Sequence, residues 1–136
     1  MYELFEHTAD LGLRVRARSL DELFRHAAKG LFGIIVEELP EGGTARPFRF
    51  RVEGRRHDHL MFDWLNELLY TFDTEHVLLD RFDVRVDDSG LTATARGRAI
   101  EETQSILQRE VKAITYHQLT VERRDDGWFA EVVVDI

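Results

Sequence analysis

The chain of 136 residues has no cysteine. That excludes a disulfide framework, a thiolate metal site and a cysteine nucleophile, and it suits a reducing compartment, with the cytoplasm as the default. Long apolar runs are missing too. No stretch approaches a membrane span, and the opening Met-Tyr-Glu-Leu-Phe-Glu has neither a basic n-region nor an apolar h-region, so a soluble chain is expected. Excess positive charge is also absent. A formal net charge of -8 and a pI of about 5.2 oppose non-specific attraction to nucleic acid, which relies on Lys and Arg displacing counterions. Any RNA would have to be held by a partner. Lysine itself is scarce, because the basic residues are almost all Arg. Lys112 therefore stands out, either as a site needing a compact ammonium or as a plain lysine on a strand edge. No Gly-rich phosphate loop and no Ser-His-Asp order occurs, which argues against independent covalent catalysis. The aromatic residues sit mostly at strand and helix periods, as core residues do, without the interleaved basic patch of a base-stacking platform.

What is present reads as one domain spanning 1–136, long enough to bury a substantial core without disulfides or structural zinc. Leu13, Val15 and Ala17 alternate with Arg14, Arg16 and Arg18 as a half-buried strand after an expected bend at Asp10-Leu11-Gly12. Ser19 with Glu22 forms a capping box that opens an amphipathic helix on Leu20, Leu23, Phe24, Ala27, Ala28 and Leu31, expected to end at Gly30 or Gly33. A loop from Glu37 to Arg46, containing Pro40, precedes a second strand on Phe48, Phe50 and Val52. Asp58 is the expected N-cap of a second helix through Leu60, Met61, Trp64, Leu65, Leu68, Leu69 and Phe72. Two hairpins follow, turning at Asp87-Asp88-Ser89-Gly90 and at Arg124-Asp125-Asp126-Gly127. The first strand of the second hairpin is expected to run from Ile114 to Arg123. Between the hairpins, Glu101 to Arg109 is either a short helix or an irregular crossing. Two helices with hairpin-linked strands define an α+β domain, an antiparallel or mixed sheet with helices against one face.

The candidate chemistry lies near the two ends. His7-Thr8-Ala9-Asp10-Leu11-Gly12 opens the chain and Val134-Asp135-Ile136 closes it. If folding joins the ends, Asp10, Asp135 and the α-carboxylate of Ile136 converge as hard oxygen ligands that either bind a cation or repel one another. The plainer alternatives have His7 and Asp10 satisfying a turn and Asp135 fraying into solvent. His59, Asp63 and Glu67 share one helical stripe, which a solvated polar face explains without a metal.

Five segments, taken in order, resemble the archease family: His7-Thr8-Ala9-Asp10-Leu11-Gly12; Leu20-Asp21-Glu22-Leu23-Phe24 with Ala27-Ala28; Trp64-Leu65-Asn66-Glu67-Leu68-Leu69-Tyr70; Val111-Lys112-Ala113-Ile114-Thr115-Tyr116-His117; and Trp128 through Asp135-Ile136. The resemblance implies an α+β fold, a bound divalent cation, calcium in the family's pattern, and a non-catalytic role. That role is as activator of the tRNA-splicing or RNA-repair ligase, promoting its guanylylation and repeated turnover, with RNA reached only through the ligase. Carried over by residue, the metal ligands would be Asp10, Asp135 and Ile136, with Lys112 functional nearby. Leu11 and Gln118 depart from the usual pattern without touching these ligands. Oxygen-only ligation independently suits calcium or magnesium over zinc or copper. A general chaperone or a modulator of an RNA-modifying methyltransferase is the alternative role. A metal-dependent hydrolase using Asp10 and Asp135 is a third, for which the sequence names no convincing general base.

Overall fold

The computed structural model describes residues 1–7, 10–38, 42–103 and 106–136. Thr8 and Ala9 of the opening motif, Pro40 of the first loop, and Gln104 and Ser105 of the crossing between the hairpins lie outside the described residues.

Among the described residues every strand pair is antiparallel, and the strands form two sheets instead of one. The larger runs β1 (Tyr2–His7), β2 (Asp10–Ala17), β8 (Gly127–Asp135), with β6 (Ala113–Ile114) and β7 (Thr120–Arg124) placed one after the other along the far side of β8. The smaller is β3 (Arg46–Glu53), β5 (Gly90–Ala99), β4 (Val77–Asp87). Two helices, α1 (Leu20–Ile35) and α2 (His57–Glu75), touch both sheets: α1 packs on β2 and β4, and α2 on β6, β7 and all three strands of the smaller sheet. Each sheet thus buries one face on helix, which explains why its strands alternate apolar and charged residues. In β3, for example, Phe50 and Val52 are buried while Arg49, Arg51 and Glu53 are exposed. Trp64 stands at the junction of these layers. It is fully buried, meets Phe50 and Phe82 edge-on, and donates its indole N–H to the Phe24 carbonyl on α1 at 2.9 Å.

The expected cap at Ser19 is present, its Oγ accepting the Glu22 N–H at 3.2 Å. The neighbouring Asp21 does a second job, accepting the Val86 N–H at 2.8 Å and so pinning edge strand β4 to the helix. Ser19→Ala is expected to cost about 0.5–2 kcal/mol in a denaturant titration. Full stability in that variant would show the cap to be redundant.

Several boundaries differ from expectation. The helix α1 does not stop at Gly30 or Gly33 but continues to Ile35, with the Val36 N–H closing on the Phe32 carbonyl. These glycines are there for close approach: a Cβ on Gly30 would fall 2.6 Å from a Leu13 methyl, and Tyr2 lies against both positions. Asp58 is inside α2, not before it. It follows Arg56, the cap residue, whose guanidinium binds Asp58 at 2.9 Å while the His59 N–H donates to the same carboxylate. The strand expected from Ile114 to Arg123 is broken into β6 and β7, with Gln118 at φ 56 between them. Strand β1 lacked a clear alternating signal and was not expected. Among the described residues of the crossing, Ile100–Glu102 form a 3₁₀ turn and Leu107 makes an isolated antiparallel bridge to Val36.

Both predicted hairpin turns occur. In the first, Asp87 accepts the N–H groups of Ser89 and Gly90 and the Ser89 hydroxyl, and Arg51 reaches across from β3 to Ser89 and Thr92. The Ser89 bonds hold the Asp87 carboxyl below its ordinary 3.8. A carboxyl depressed in the folded state stabilises above its unfolded value, and that contribution is lost as pH falls through the lower folded value. Asp87→Asn, which keeps an acceptor but does not titrate, should therefore show a shallower loss of stability below pH 3.8. Urea midpoints measured across acid pH test this, and identical acid limbs would sink it.

Candidate functional site

The pairing of β2 with β8 decides where the terminal acids stand. The register runs from Asp10↔Asp135 to Ala17↔Trp128. Leu11, Leu13 and Val15 on β2 and Ala130, Val132 and Val134 on β8 are buried against the helices. With a side-chain period of two, Asp10 and Asp135 must then occupy the opposite, outer face, directly across from each other. Directly opposed residues on one face have Cβ atoms about 4.5–5.5 Å apart. Two carboxylates at that separation repel unless a cation or proton lies between them.

The rest of that face is assembled around Phe5. Gly12 is not at a bend, as expected from sequence, but inside β2, opposite Phe5 and Val133. A Cβ there would fall 2.0 Å from the Phe5 ring, so the missing side chain makes room for the ring to lie on the strand. This roof explains why Val132, Val133 and Val134 are all buried although alternate residues face outward. Arg14 sits over the ring, 4.0 Å from its centre, and pairs with Glu131 at 2.8 Å. The acid pair lies further along β2 and β8 than the Phe5 position, with Asp10 and Asp135 only part-buried.

The segment carrying Lys112 is stitched to the same end of β8. The Lys112 N–H donates to the Asp135 carbonyl at 2.7 Å, Ala113 pairs with Asp135, and Thr115 donates both its N–H and its hydroxyl to the Val133 carbonyl. Lys112 is exposed. Tyr116 then anchors the segment to α2, stacking on Phe62 with ring centres 3.8 Å apart and meeting His59 edge-on. His59 is thereby accounted for as an aromatic neighbour, while Asp63 and Glu67 face solvent.

Of the predicted site residues, then, Asp10 and Asp135 are brought together, Ile136 follows Asp135 directly, and Lys112 is tied to the Asp135 backbone. Among the described residues no group of three or more His, Cys, Asp or Glu side chains is placed to hold a metal ion. Two opposed carboxylates are nevertheless a hard-oxygen donor pair, of the ligand type that calcium and magnesium prefer. Sequence reasoning missed the Phe5 roof and the Thr115 and Tyr116 anchors. Only the Gly12 position hinted at the first, and it was open to the simpler reading of a turn.

A small antiparallel α+β domain with a helix pair between two sheets and opposed acids at one sheet end is the class these observations define. Residues 2–136 match the Archease protein family (MTH1598/TM1083), and the chain belongs to that family. It is similar to protein archease of Methanosarcina barkeri, 34% identical over 99% of this chain and 95% of that one. Protein archease of Saccharolobus solfataricus is 36% identical, over 99% of this chain and 98% of its own. Among solved structures, the solution structure of Methanobacterium thermoautotrophicum protein 1598 superposes with a TM-score of 0.79 at 30% identity, covering 99% of this chain and 98% of that one. A Thermotoga maritima crystal structure, described as an archease and possible chaperone, has the same fold at a TM-score of 0.69 and 24% identity, over 100% of this chain and 98% of its own. No helix of the described residues is long and apolar enough to cross a membrane.

Proposed function

We propose that this chain is a non-catalytic activator of an RNA ligase of the tRNA-splicing or RNA-repair type, working in the cytoplasm and promoting guanylylation of the ligase. The observation that carries this reading is the opposed pair Asp10 and Asp135, to which the Lys112 segment is tied through the Asp135 carbonyl. Asp10, Asp135 and the Ile136 carboxylate would hold a hard divalent cation, calcium in first place. Three anionic groups leave open coordination positions for water or a partner's oxygen. When bound, the cation supplies a concentrated positive charge able to orient phosphate oxygens. Lys112 supplies a second, mobile positive charge, which offsets the acids without the metal and would reach a triphosphate in the complex. The net charge of -8 fits a protein that meets another protein's active site and leaves RNA to it.

The decisive measurement is the rate of ligase guanylylation with and without the chain, followed over repeated turnovers. No acceleration, together with suppression of aggregation of unrelated proteins, would favour the chaperone reading that the Thermotoga relative's description suggests. Lys112→Ala at saturating concentration should abolish most of the acceleration, and Lys112→Arg should also be impaired because a guanidinium is wider and more weakly hydrated. Binding in a pull-down should survive better than activation. Full activity of Lys112→Ala would reduce the residue to a neighbour of the site.

A further inference from the structure

Strand β3 is an edge of the smaller sheet: among the described residues it pairs with β5 alone. In an antiparallel pair every second residue turns its N–H and C=O away from the partner, so β3 carries a row of backbone groups with no strand to bond. Pro47 and Arg49 guard the first half of this edge, as proline and charge do on many edge strands. The second half opens onto a groove of about 640 Å³ whose other wall is α2. Three consecutive residues, Arg51, Val52 and Glu53, line it. Because successive side chains on a strand point to opposite faces, a groove that meets all three runs along the strand's edge.

The α2 wall is Asp63, Asn66, Glu67 and Tyr70, the i, i+3, i+4 and i+7 positions of one helical stripe, with Phe62 beside them. The packing of α2 uses a different side, where Leu60, Trp64 and Leu68 are buried. Tyr70 is 64% exposed, and the exposed carboxylates of Asp63 and Glu67 form no ion pair among the described residues. Phe62 is fixed by its stack on Tyr116. Two unpaired carboxylates beside an open tyrosine ring are the set that holds a guanidinium or an ammonium, the acids by charge-assisted hydrogen bonds and the ring by its negative face.

We propose that this groove takes an extended segment of a partner protein, added as a further strand on β3, with basic side chains at alternate positions directed at Asp63, Glu67 and Tyr70. Main-chain bonds to the open edge give such a complex its affinity, and the alternate side chains give it selectivity. The side chains in between lie beside Arg49 and Arg51 on the outer face, where hydroxyl or acidic residues fit. A nucleic acid would bring phosphates to two carboxylates. A second copy of this chain offering its own β3 would set arginine beside arginine and one acidic stripe beside the other.

The probe is a fluorescein-labelled, C-terminally amidated heptapeptide of alternating threonine and arginine, titrated with the protein and followed by anisotropy. Saturable binding is expected, and the same peptide with glutamate for arginine should bind at least about tenfold more weakly. In a strand the arginine N–H groups lie along one edge and the threonine N–H groups along the other, so N-methylation of one set should abolish binding and of the other set should not. Tyr70→Ala and Glu67→Gln, at exposed positions, should each weaken the arginine peptide by about fivefold without moving the thermal unfolding midpoint. Asp63→Lys combined with Glu67→Lys should turn the preference to the glutamate peptide. Absence of saturable binding, equal binding of the glutamate peptide, indifference to both N-methylation patterns, or indifference to all the substitutions would each overturn the assignment. Self-association of the chain that Tyr70→Ala abolishes, with no peptide bound, would overturn it too and give the groove to a second copy.

Discussion

Asp135→Asn and Asp10→Asn are each expected to weaken calcium binding at least about tenfold, equivalent to about 1.4 kcal/mol, and Asp135→Asn to stabilise the metal-free protein slightly. The two signs follow from one arrangement. The acids are directly opposed across β2 and β8 on the outer face. Like charges at that spacing are destabilising, by an amount comparable to the roughly 0.2–1 kcal/mol of other cross-strand pairs, so neutralising Asp135 relieves the metal-free sheet. The same neutralisation would remove an anionic ligand from the proposed site, which has few, and cation affinity follows ligand charge. Calorimetric titration with calcium, paired with denaturant unfolding in chelator, reads both effects. Unchanged calcium affinity in both variants would remove the site. Extension of the chain beyond Ile136 should weaken binding as well, since the α-carboxylate becomes an amide, and a tag without effect would restrict the ligands to the two aspartates.

Trp64→Ala should be the most damaging single change to the scaffold, lowering stability by about 3–5 kcal/mol. Its side chain is fully buried and contacts Phe50 and Phe82 of the smaller sheet while bonding to the Phe24 carbonyl of α1, so truncation opens a cavity between three elements at once. Trp64→Phe keeps most of the volume and loses the indole N–H, and is expected to fall between the two. That loss is a large share of a domain's typical 5–15 kcal/mol. Urea unfolding monitored by far-ultraviolet circular dichroism measures it. A cost below about 1 kcal/mol for the alanine variant would mean that the surrounding core collapses into the space.

The elements that were legible from sequence are those whose signal is local. Both hairpin turns and the strands flanking β5 announced themselves through alternation and Asp-Gly turn chemistry, and the start of α1 through Ser19 and Glu22. Resemblance in five ordered segments carried the family and its candidate residues. Two of those segments prove to be scaffold in their buried residues: Leu23, Phe24, Ala27 and Ala28 on α1, and Trp64, Leu65, Leu68 and Leu69 on α2, belong to the core. The other three meet at one end of the larger sheet.

Glycine shows why local reading fails where packing takes over. Gly12 and Gly30 were expected to bend or end an element because glycine does so most often, yet each lies inside one, where a neighbour's side chain occupies the space a Cβ would need. That neighbour is Phe5 in one case and Leu13 in the other, and only the folded chain identifies it. Residue type and spacing by themselves determined the alternation of Leu13, Val15 and Ala17 with Arg14, Arg16 and Arg18, whereas the continuation of that strand back through Leu11 to Asp10 came from its pairing in the sheet. That Asp135, 125 positions further on, takes the same face directly opposite was decided by the β2–β8 register, a long-range pairing that local sequence does not encode.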